Sequence, residues 1–163
     1  MEKNEIVEGL SSPLASEEST RLSLECIRTG KAGLNQHRLS LLNRVPESES
    51  WSSFKLNTIE FRDLAYLSAA TGDEFALLRG RSEEILYHGS KYHCHLEKSE
   101  TLMELLESHK VSLEIHTHPD YGRIIPSSDD RAFLLHIGQK SSRIISSHTG
   151  KIMIFHANLF EDI

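Results

Sequence analysis

The chain has 163 residues, 38% of them hydrophobic and 26% charged, with a net charge of −6. That length suits one domain with a real core and is short for two. An acidic balance with scattered Lys and Arg argues against a surface that tracks nucleic-acid phosphates. Cys26 and Cys94 form no CxxC pair, so neither a disulfide framework nor a cysteine zinc cage is expected, and a reducing cytoplasm is the simpler compartment. The opening Met1 to Glu8 lacks the apolar run of a signal peptide, and no window approaches a membrane span. Delivery as an effector by a specialised secretion system would leave no such mark and stays open.

In chain order, residues 1–20 are rich in Ser and Glu and read as flexible. Residues 21–45 suggest two short helices broken at Gly30 to Gly33. Pro46 to Ser53 reads as a linker or surface loop, which makes 1–53 a polar extension and 54–163 the main domain. Asn57 with Glu60 resembles a capping box ahead of a helix that ends near Thr71 and Gly72. The apolar run Phe75 to Leu78 follows. Glu84 to His88 and Tyr92 to Leu96 are strand candidates, joined as a hairpin at Gly89 and Ser90. Ser99 caps a helix to about Lys110, and Val111 to His118 alternates as a strand. Ser127 caps a helix ended by Gly138. Two strands, Arg143 to Ser146 and Lys151 to Phe155, close the chain around a turn at His148 to Gly150. This order predicts one α/β domain with a mixed sheet flanked by helices.

The chemistry concentrates between Glu114 and Asp130, where His116-Thr117-His118-Pro119 precedes a polar loop and then Ser127-Ser128-Asp129-Asp130. Residues two apart on a strand share a face, so His116 and His118 can converge on one ion. On simple alternation Glu114 shares that face, and Leu113, Ile115 and Thr117 take the other. Pro119 cannot continue a central strand, which puts His118 at a strand end. Asp130 falls in the first turn of a helix, where the dipole favours a carboxylate. Two imidazoles and a carboxylate make a three-ligand set for zinc with one position open, the arrangement of catalytic rather than structural sites. Ser127 sits beside it, its hydroxyl free to stabilise charge on a substrate carbonyl.

Hydrolysis also needs a proton carrier. Glu74, at the junction of a helix and a buried strand, is the first candidate. Glu114 is its rival, better suited to orienting an imidazole from behind, and Asp73 reads as a solvated position. The plainer readings are a helix cap for Ser127 and Asp130, and a solvated turn for Glu74. His93-Cys94-His95 is a second His-x-His with no spaced carboxylate after it, and reads as an ordinary edge strand. Barrel hydrolases also use His-x-His but need about 250 residues. A zinc deaminase would need Pro-Cys-x-x-Cys, which the two cysteines cannot supply.

With its Glu followed by His-x-His and Ser-x-x-Asp, the sequence resembles the JAMM (MPN-plus) zinc metalloproteases over about residues 57–156. The stretch from Gly72 through Glu74 to Gly80 is similar to the Glu-bearing segment of single-domain prokaryotic members. Tyr87-His88-Gly89-Ser90, and Lys140 to Ile145 with Thr149-Gly150-Lys151, look similar to members from bacterial polymorphic-toxin and conflict systems. The resemblance implies zinc held by His116, His118 and Asp130, with Glu74 as general base and acid and Ser127 at the oxyanion. It also implies a three-layer fold similar to cytidine deaminases. The expected activity is hydrolysis of a peptide or isopeptide bond, on a ubiquitin-like protein or an effector's target. The alternative is a catalytically silent binding or scaffold module. The loop before Ser127 is one residue longer than is commonest in the family. The segment from Glu74 to Gly80 is one shorter, which keeps Asp73 in play.

Overall fold

Two apolar stretches, Phe75 to Leu78 and Ile85 to Tyr87, are buried almost completely and form the middle of a sheet together with Leu113 and Ile115 to Thr117. A computed structural model describes residues 13–119 and 124–159, with the side chains of 13–16 excepted. The expected flexibility of residues 1–12, and the loop residues 120–123, lie outside the described residues.

The elements run α1 (Pro13–Arg28), α2 (Gln36–Arg44), β1 (Ser50–Lys55), α3 (Phe61–Thr71), β2 (Phe75–Gly80), β3 (Glu83–His88), a 3-10 turn (Leu96–Lys98), α4 (Glu100–Glu107), β4 (Val111–His118), α5 (Ser128–Ile137), β5 (Ser141–Ser146) and β6 (Ile152–His156). The six strands make one mixed sheet in the order β1-β3-β2-β4-β5-β6. All neighbours pair antiparallel except β4 and β5, which are parallel and joined through α5. The expected α/β class with a mixed sheet is what the chain forms. No helix among the described residues is long and apolar enough to cross a membrane.

Helices cover both faces. Leu24, Leu41, Leu64 and Leu67 pack with Leu77, Leu86 and Ile115 on one side. Leu102, Leu106, Leu134 and Ile137 pack with Ala76, Leu78, Leu113 and Phe155 on the other. Period-two alternation along β2 and β3 divides the strands' side chains between the two cores.

Several expectations are corrected. Residues 13–20 belong to α1, in which Thr20, Leu24 and Ile27 form a buried stripe at helical spacing under a Ser- and Glu-rich exterior. Ser50–Lys55 is an edge strand, not a loop; it pairs along its whole length with β3 and buries only Phe54. The division expected at residues 53 and 54 therefore falls inside β1, and α1 and α2 share a core with α3. Tyr92 to Leu96 makes no strand. β3 already has β1 on one edge and β2 on the other, so no ladder remains for a hairpin partner. Instead the Ser90 N–H donates to the His93 carbonyl at 2.7 Å, folding a tight turn. The cap of α3 also lies three residues on, at Glu60 with Asp63 in place of Asn57 with Glu60. The Glu60 N–H donates to the Asp63 carboxylate at 2.9 Å, whereas Asn57 adopts a left-handed φ of 67° and gives its N–H to the buried Glu84 carboxylate. Finally, α4 stops at Glu107, and His109 turns the chain with a φ of 63°.

Candidate metal centre

The parallel pair decides where the site lies. A strand, helix and parallel strand put the N-terminus of α5 beside the carboxyl end of β4, the edge of a sheet at which ligands commonly bind. His116 and His118 arrive from β4, and Asp130 from the first turn of α5.

A reciprocal cap fixes Asp130. The Asp130 N–H donates to Ser127 Oγ at 3.0 Å, and the Ser127 N–H donates to Asp130 Oδ2 at 2.8 Å. The second of these bonds aims the carboxylate at the histidines. Asp130 Oδ2 lies 3.1 Å from His118 Nε2, and Oδ1 lies 3.2 Å from His116 Nε2. The His116 contact is off the hydrogen-bond direction, and neither ring nitrogen of this buried imidazole has a hydrogen-bond partner among the described residues. A buried unpartnered nitrogen is costly and calls for a ligand. One candidate atom from each of the three residues lies within 4.8 Å of the others, the only such group among the described residues. The group can hold a metal ion.

Electrostatics agree with this arrangement. Burial works to raise the Asp130 carboxyl, but the His116 and His118 imidazoles and the Ser127 N–H outweigh it and hold the pKa below its ordinary value. Asp130 thus stays ionised. Glu74 lines the same cavity and is only 7% exposed. Burial, and then the charge of Asp130, push its pKa from 4.5 up to about 8.

Backbone contacts hold Glu74 in place. The Phe75 N–H donates to Thr117 Oγ1 at 2.9 Å, which ties the start of β2 to the end of β4. The Glu74 N–H donates to the Ser90 carbonyl at 2.9 Å, and the Glu74 carbonyl accepts from Gly89 at 2.7 Å. A Cβ at Gly89 would stand 2.5 Å from the His93 carbonyl oxygen and 3.0 Å from that of Glu74. Only glycine lets the chain pass so closely.

The two rivals for proton transfer lie elsewhere. Asp73 Oδ2 is 2.8 Å from His88 Nε2; the His88 ring stacks on Phe75, and its Nδ1 is 2.8 Å from the Val45 carbonyl. Asp73 is thereby engaged in a structural contact and does not line the cavity. Glu114 does not share a face with the histidines. Leu77 pairs with Ile115 but Leu78 pairs with Leu113, so Glu114 is an extra residue, a bulge. The bulge reverses the alternation. Ile115 joins the α3 core, Leu113 joins the α5 core, and Leu113, His116 and His118 face the cavity while Glu114 does not line it. Glu114 instead accepts from Ser112 at 2.7 Å and from Arg143 at 3.4 Å, with Arg79 3.6 Å away. It touches neither imidazole, so it cannot orient one.

His93, Cys94 and His95 form a wall of the same cavity in place of an edge strand. Burial, followed by the charges of Glu74, Asp130 and Glu97, pushes the Cys94 thiol well above its ordinary pKa. A protonated thiol is a poor nucleophile. The apolar side of the cavity, Leu96, Met103 and Phe133, was not singled out from the sequence because Met103 and Phe133 look like helix-packing residues and Leu96 like the end of a strand. No protein-family model matches the chain, no curated protein matches it, and no solved structure matches it.

Proposed function

We propose that the chain is a zinc-dependent peptidase or isopeptidase of the JAMM type, with the family's three-layer arrangement similar to cytidine deaminases. The observation that carries the reading is a three-residue donor set with an open side, sharing one cavity with a buried Glu that carries a raised pKa. His116, His118 and Asp130 would hold the ion. Zinc bound there supplies a Lewis acid and activates water.

The side chains divide the remaining work. Glu74 takes a proton from the attacking water and returns it to the leaving amine; a pKa near the working pH suits it for both transfers. Ser127 Oγ already accepts from the Asp130 N–H, which leaves its O–H free to donate to the developing oxyanion. The alcove is partly walled from solvent by the 89–95 turn, which strengthens these charges. A ubiquitin-like protein or an effector's target remains the proposed substrate class.

The test is metal analysis combined with turnover of quenched peptide mixtures. His116→Ala should lose zinc, whereas Glu74→Gln should keep zinc and lose activity by at least about a hundredfold. Normal cleavage by Glu74→Gln sinks the proton-transfer assignment. Stoichiometric zinc with no cleavage of any peptide would instead favour a silent binding module.

A further inference from the structure

The cavity is larger than a metal site needs. It encloses about 640 Å³ and extends from the ligands towards α4. Two elements lead in that direction together. On the sheet, Ala76 pairs with His116 and Leu78 with Leu113, so Leu113 stands two rows from His116, roughly 7 Å away on the same face. On α5, Phe133 is three residues beyond Asp130, one turn along the same side of the helix. Leu96 and Met103 line the same cavity.

We infer that this extension is a subsite for one large apolar side chain of a peptide substrate, adjacent to the bond that is cleaved. The inference rests on the peptidase reading for its site of action. Ala76, Leu96, Met103, Leu113 and Phe133 offer surfaces that gain by losing water to an apolar group. The lining includes no Lys or Arg, so no permanent cation there would pair with an acidic side chain. The carboxylates Glu74, Glu97, Asp129 and Asp130 line the cavity too, and the apolar stretch of Leu113, Met103 and Phe133 is what disfavours a cation. The volume far exceeds a glycine, and only a bulky side chain excludes the water that would otherwise fill it.

Binding and cleavage test the inference separately. Zinc-loaded Glu74→Gln protein is titrated with N-acetyl-leucine amide and N-acetyl-glycine amide, followed by the NMR shift of the Phe133 backbone amide, which the Met103 variant retains. Leucine should bind about tenfold or more tightly, and Met103→Asp should abolish the difference while zinc is retained. Equal affinities overturn the subsite, whether or not the wild type cleaves anything. In wild-type protein, mass spectrometry of a randomised peptide mixture should find Leu, Met or Phe beside the cut bond at least about tenfold over Gly or Asp in kcat/KM. Cleavage with equal efficiency beside Gly overturns the subsite and leaves the peptidase reading intact. Failure to cleave, with the leucine preference preserved, overturns the peptidase reading alone.

Discussion

Replacing Glu74 with Gln should flatten the pH dependence of stability in the metal-free protein. The Glu74 carboxyl is buried beside the Asp130 charge, and its pKa is raised from 4.5 to about 8 in the folded chain. A raised native pKa means that the folded state holds the proton more tightly than the unfolded one. The resulting stabilisation is complete below about pH 4.5 and is lost as the pH rises through about 8. A shift of that size is worth on the order of 5 kcal/mol. In a chain of this length, 1 kcal/mol moves Tm by about 2–4 °C, so the effect is about 10 °C or more. Gln keeps the shape and cannot ionise. Thermal unfolding of chelator-treated wild type and Glu74→Gln, scanned from pH 5 to pH 9, isolates the effect as the difference between two slopes. Wild type should lose Tm steeply with rising pH, and the variant should lose much less. Equal slopes in the two proteins would refute both the burial of a neutral carboxyl and its coupling to Asp130.

Two further outcomes test individual contacts. Ser127→Ala removes the cap of α5 and the oxyanion donor together, whereas Ser127→Gly removes the donor at little cost to the cap. The Ala variant should lose about 1 kcal/mol of stability, and both variants should lose about a hundredfold in kcat, measured beside denaturant unfolding. Glu114→Gln should leave zinc content and turnover unchanged, because its partners are Ser112, Arg79 and Arg143 on the other face of β4. A loss of zinc in that variant would refute the bulge.

Much of the metal centre was legible in the sequence because it depends on local geometry. His116 and His118 share a strand face by period two, and Ser127 with Asp130 opens a helix by a reciprocal cap; both follow from spacing alone. The same reasoning failed two residues before His116. Glu114 was put beside the histidines because alternation was assumed to be unbroken, yet the bulge opposite Leu77 and Leu78 turns it away. A bulge depends on how two strands pair, which one strand's sequence does not carry. β1 was hidden for a related reason. Its Ser-rich residues bury only Phe54, and the strand exists because β3 offered a free edge. That same occupied edge denied a ladder to Tyr92–Leu96, whose pattern looked more like a strand than β1 did.

The sequence by itself determined the donor residues, their order and the α/β class, since these follow from chemistry and from periods of two and 3.6 residues. Tertiary structure alone decided which carboxylate reaches the centre. Asp73, Glu74 and Glu114 are comparable in sequence. Pairing with His88 engages the first, and a bulge sends the third to the opposite face. Glu74 remains, held over the cavity by Gly89 and Ser90, because a side chain's environment is set by the strands and turns packed around it.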